Sequence, residues 1–90
     1  MSLVEELIDD VLVLHPDERL DVTTGPELSH GVARLYREGH RRLLIDFSGV
    51  NYVSSLGLAA CLKAAKVTQE QGGRLALCGL TGMVAEVFDL

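Results

Sequence analysis

Ninety residues make one small domain, able to bury roughly three-fifths of the surface its unfolded chain exposes, and 48% apolar residues supply a core without disulfide or metal staples. A net charge of −5, with four of the 8 Lys and Arg residues crowded between Arg34 and Arg42, excludes the broad basic face a nucleic-acid binder needs. Aromatic residues are only 4% with no Trp, so the core falls to Leu, Val, Ala and Ile, and no platform exists for stacking bases or sugars.

The opening LVEELIDDVLVLH holds two short apolar segments around Asp9-Asp10. That is compatible with a β-hairpin, although Leu3, Val4, Leu7 and Ile8 also fit a helical stripe. Residues 11–14 form a continuous, partly β-branched run that predicts a buried strand, broken by Pro16 and Asp17. The RLDV stretch after it predicts a brief strand or extended link. Thr24-Gly25-Pro26-Glu27 predicts a helix start: Thr24 accepts from the Glu27 amide and Glu27 reaches back, which is a capping box. Pro26 sits in the first turn, where a missing N–H does no harm. Leu28, Val32 and Leu35 give this helix one apolar face, and Gly39 closes it.

RRLLIDF predicts the next buried strand, and residues 48–51 carry turn chemistry. The second helix runs from about residue 55 to 71, with Leu58, Cys61, Leu62 and Ala65 on one face, widened by Ala59, Ala60 and Ala64. Gly72-Gly73 ends it. RLALCGL is a third strand, and TGMVAEVFDL starts a third helix capped by Thr81. Alternating strands and helices of this length imply an α/β layer structure with at least part of the sheet parallel. Cys61 and Cys78 lie in apolar runs without C-x-x-C spacing, and are expected as reduced, buried thiols.

Most site chemistries find no support. His15, His30 and His40 show no metal-ligand spacing. SSLGL is not the G-x-S-x-G elbow, and neither phosphate-cradling glycine motif is present. The first residues are acidic and interrupted, unlike a secretory leader, and the longest apolar run is far short of a membrane span. The expectation is a soluble cytoplasmic domain with no catalytic residue, metal or cofactor and no direct membrane insertion.

The serines in NYVSSLGLAACL stand apart. A strand-to-helix corner wants one Ser as its N-cap. Ser54 and Ser55 are two, and Gly57 in a first helical turn costs up to about 1 kcal/mol relative to Ala. A glycine there also removes bulk where another molecule could approach the backbone. Capping by Ser54 with an exposed Ser55 hydroxyl is the expected division of labour.

The stretch LLIDFSGVNYVSSLGLAACLKAAK, followed by GGRLALCGLTGMVAEVFDL, resembles the STAS domains, nearest to the bacterial anti-sigma factor antagonists. In the family the corner reads Asp-Ser-Ser-Gly-Leu or a close variant. Ser54 takes the place of the aspartate, Ser55 that of the phosphorylated serine, Leu56 that of the second small residue, and Gly57 that of the glycine, followed by Leu58. Asp21 matches an acidic position near the phosphorylation site, and Asp46 a strand aspartate. Glu18 stands where the family has glycine.

The resemblance implies a mixed sheet with helices packed mainly on one face. It implies binding to an anti-sigma factor that is also a serine kinase, through Asp21, Ser54, Ser55, Leu56, Gly57 and Leu58. Phosphorylation of Ser55 breaks that complex, and the nucleotide belongs to the partner. The departures at Ser54 and Leu56 keep a second reading open, a STAS scaffold or transporter-associated protein that is never phosphorylated; a small serine hydrolase is the remaining alternative. Relatives continue past VFDL, so a single domain over 1–90 is expected to be short at its C-terminus. Met83, Val84, Val87 and Phe88 form one apolar face, which favours a homodimer.

Overall fold

A computed structural model describes residues 3–88. The opening segment is a hairpin: β1 (Val4–Ile8) and β2 (Val11–His15) pair antiparallel around a turn in which Asp9 takes φ 55°. Aspartate tolerates that left-handed geometry better than most residues. The short β3 (Arg19–Leu20) leads into α1 (Thr24–Arg37), and β4 (Arg42–Asp46) follows. Then come β5 (Tyr52–Val53), α2 (Ser55–Glu70), β6 (Arg74–Cys78) and α3 (Gly82–Phe88).

The main sheet has the order β1-β2-β4-β6, with β2, β4 and β6 parallel. A separate two-stranded parallel sheet joins β3 to β5. Alternate strand residues Leu12, Leu14, Leu43 and Ile45 join Leu28, Val32 and Leu35 of α1 and Cys61 and Ala64 of α2 in one core. The opposite sheet face carries Glu6, His15 and Asp46 in a row, with the His15 ring 3.0 Å from Glu6 Oε1 and 3.5 Å from Asp46 Oδ2. This is the expected mixed sheet with helices on one face.

Five details depart from the expectations. The Thr24–Glu27 capping box does not form, because Asp21 does that work: its carboxylate accepts the Thr23 and Thr24 N–H groups at 3.0 and 3.3 Å. The Thr24 hydroxyl turns back to donate to the Arg19 carbonyl at 2.7 Å. On α2 the buried positions are Gly57, Ala60, Cys61, Ala64 and Thr68, so the helix is rotated and Leu62 stands 65% exposed. Cys78 is exposed, not buried, and Met83 points outward at 76% exposure while Val84 alone of the predicted α3 face is fully covered. The core is also less aliphatic than composition implied. Tyr36 and Phe47 are its largest buried side chains, and Tyr36 donates its hydroxyl to Thr68 Oγ1 at 2.7 Å, which avoids an unpaired polar group.

Candidate functional site

β3 and β5 lie side by side in parallel, Arg19 opposite Tyr52 and Leu20 opposite Val53, and each strand runs straight toward a helix. The amino ends of α1 and α2 are therefore delivered to the same corner. Small residues let the helices meet there: a Cβ added to Gly25 would lie 3.2 Å from the Ala60 Cβ.

Ser54 sits in extended backbone (φ −83°, ψ 172°) and is the N-cap of α2. Its hydroxyl oxygen accepts the Gly57 N–H at 3.1 Å, while its own N–H donates to the Leu20 carbonyl at 2.9 Å. Ser55, the first helical residue, is exposed, and its hydroxyl takes no partner among the described residues. One serine thus terminates the strand and starts the helix, and the other is left free. Leu56 projects outward at 55% exposure, and Leu58 is half-buried against the core.

Gly57 has a different role from the one its openness suggested. It is buried, and the space beside it is filled by the chain itself, since a Cβ there would come within 2.2 Å of the Leu20 carbonyl oxygen. Asp21 lies beside this corner, directly after Leu20. The Thr23 and Thr24 backbone amides, then the Thr24 hydroxyl and the Arg19 charge, hold its carboxyl below the usual range. Asp46 lies elsewhere, on the open sheet face. There the Ser48 amide and hydroxyl, then Cys78 and the charge of His15, lower its carboxyl in the same way.

Three further residues border the corner. Val22, 63% exposed, follows Asp21, and Tyr52 presents its ring to the Arg19 guanidinium 4.2 Å from the ring centre. An apolar valine beside Thr23-Thr24 was the signal in the sequence; nothing local marked Arg19 and Tyr52 as neighbours. Among the described residues no His, Cys, Asp and Glu cluster is arranged to hold a metal ion, and no helix is long and apolar enough to cross a membrane.

The corner of this α/β domain thus presents a free hydroxyl flanked by exposed apolar side chains. The STAS domain model matches residues 3–90, and the chain belongs to that family. It is 31% identical over 90 residues to BtrV of Bordetella bronchiseptica, named as an anti-sigma factor antagonist, covering all of this chain and 78% of that one. Among solved structures it is similar to TM1081 of Thermotoga maritima, likewise named as an anti-sigma factor antagonist, with TM-score 0.86 at 22% identity over 97% of this chain and 75% of that one. SpoIIAA in its unphosphorylated form superposes with TM-score 0.78 at 16% identity, covering 98% of this chain and 82% of that one.

Proposed function

We propose that this chain is an anti-sigma factor antagonist: its serine corner binds an anti-sigma factor that is also a serine kinase, and phosphorylation of Ser55 breaks the complex. The observation that carries this reading is the division of labour at the corner. Ser54 alone supplies the cap, which leaves Ser55 exposed and unpaired at the start of α2. A phosphate there adds a charge near −2 at pH 7. The helix end tolerates it, with roughly 0.3–1 kcal/mol of favourable interaction from free N–H groups and the helix dipole. The domain stays folded, and the change is felt by whatever docks on Leu56, Val22 and Asp21. The name of BtrV supports the antagonist reading. SpoIIAA, known in both phosphorylated and unphosphorylated forms, gives the fold a precedent for such a modification.

The test uses the purified anti-sigma factor kinases of the source organism. Binding is measured for wild type, Ser55→Ala and Ser55→Asp, with mass spectrometry after incubation with kinase and ATP. One kinase is expected to bind wild type and Ser55→Ala, to modify Ser55, and to bind Ser55→Asp more weakly by about tenfold or more, which corresponds to at least ~1.4 kcal/mol. An unmodified Ser55 together with full-strength binding of Ser55→Asp removes the switch. Ser54, standing where the family has aspartate, then favours a STAS scaffold that binds without being modified.

A further inference from the structure

The net charge is −5, yet the outer face of α1 and α2 carries basic side chains that no carboxylate neutralises. Arg34 is held by Glu5 and Glu38, Arg42 by Asp10, and Arg19 faces Asp21. His30 and Arg37 of α1, and Lys63 and Lys66 of α2, have no carboxylate partner among the described residues, and all four are exposed. The two helices run parallel, with Gly25 against Ala60 near their starts and Tyr36 bonded to Thr68 near their ends. His30 and Lys63 consequently face each other across the cleft between α1 and α2.

That cleft is a slot of about 220 Å³. Val22, Pro26, Leu56 and Ala59 make its sides, Ala60 and Ser29 its floor, and the Lys63 ammonium and the His30 imidazole its rim. The floor offers no free donor, because the buried Ser29 hydroxyl already donates to the Pro26 carbonyl at 3.2 Å. The Asp21 carboxylate, next in sequence to Val22, is turned onto the Thr23 and Thr24 amides.

We infer that this slot receives an apolar side chain projecting from an acidic protein surface, with Lys63 and His30 engaging the carboxylates around it. The inference rests on the reading that an anti-sigma factor docks at this corner, and it specifies the chemistry of the docking face. Apolar anchors in pockets ringed by complementary charge are how protein surfaces combine affinity with orientation. The overall negative charge points toward a basic partner, but the docking face has the opposite sign. The arrangement also accounts for release. Ser55 directly precedes Leu56, so its phosphate places two negative charges at the mouth of a slot that attracts acidic groups.

The experiment takes the anti-sigma factor kinase that binds wild type and measures association rate and affinity across a salt series. The variants are Lys63→Glu, Leu56→Asp and, as a charge-matched control on β6, Arg74→Glu, with circular dichroism to verify folding. Lys63→Glu is expected to slow association about tenfold and flatten its salt dependence, because rim charges act mainly on encounter. Leu56→Asp is expected to raise the dissociation rate, and Arg74→Glu to change neither. If Lys63→Glu matches wild type in rate and salt slope while Ser55→Asp still weakens the complex, the slot inference is overturned and the antagonist reading stands. If no anti-sigma factor kinase binds wild type, both fall together.

Discussion

Gly57→Ala sets two opposing effects against each other. In an unconstrained helix the change gains about 1 kcal/mol. Here the new Cβ would lie 2.2 Å from the Leu20 carbonyl oxygen and 2.7 Å from the carbonyl carbon. Non-bonded C···O contacts settle near roughly 3.3 Å, so β3 and α2 have to part by about 1 Å. Neither side yields cheaply. The same oxygen accepts the Ser54 N–H at 2.9 Å, and the Leu20 side chain is fully buried. Overpacking costs about 1–3 kcal/mol, and a clash with unyielding backbone falls in the upper part of that range, about 2–3 kcal/mol, so after the helix gain a net loss of about 1–2 kcal/mol remains. For a domain of this size each kcal/mol moves Tm by roughly 4–8 °C, so thermal denaturation is expected to show a fall of roughly 5–15 °C. Gly49→Ala, where a Cβ meets nothing within 4 Å, is the control and is expected to stay within about 0.5 kcal/mol of wild type. A Gly57→Ala protein as stable as wild type refutes the reasoning, because α2 would then be free to lift from β3.

Ser54→Ala removes the bond to the Gly57 N–H and is expected to cost about 1 kcal/mol in denaturant titration, whereas Ser55→Ala is expected to be close to neutral; equal losses contradict the assignment of the cap. Asp21 and Asp46 both titrate below their ordinary value of 3.8 in the folded state, so the unfolded chain takes up protons first and their stabilisation, full above about pH 4, fades as pH falls through the folded values. Asp21→Asn combined with Asp46→Asn is expected to shallow the loss of Tm between pH 4 and 2, and an unchanged slope counts against these carboxylates as its source.

The elements with strong local signals were legible in the sequence. The three helices and strands β2, β4 and β6 follow from apolar runs and from breakers at Pro16, Gly39 and Gly72, whereas Leu3, Val4, Leu7 and Ile8 fitted a helical stripe as well as the hairpin that forms. The split of roles between Ser54 and Ser55 was legible too, because a cap needs only one oxygen. What failed did so where local pattern carries little information. Along α2, alanines and leucines occur on every side, so the apolar stripe could not fix which way the helix faces. Asp21 and Thr24 both suit a cap, and the choice depends on the Arg19 carbonyl, which draws off the Thr24 hydroxyl. Strand β5 is two residues long and exists through its partner β3. The row of Glu6, His15 and Asp46 spans three strands and is invisible until they are placed side by side.

The pairing of β3 with β5 has a consequence for when the corner comes into being. Beside it, Asn51 reaches the Glu18 carboxylate across a separation of 33 residues, and α1 and β4 lie in between. Contacts that close so long a loop form slowly, since the chain loses its freedom before the contact returns anything. The hairpin and the separate helices can form from neighbouring residues, but Ser54 finds the Leu20 carbonyl only after the intervening segment has settled onto the sheet. A chain in which that segment has not settled lacks the corner altogether. The corner is thus a property of the completed fold and not of either helix taken separately.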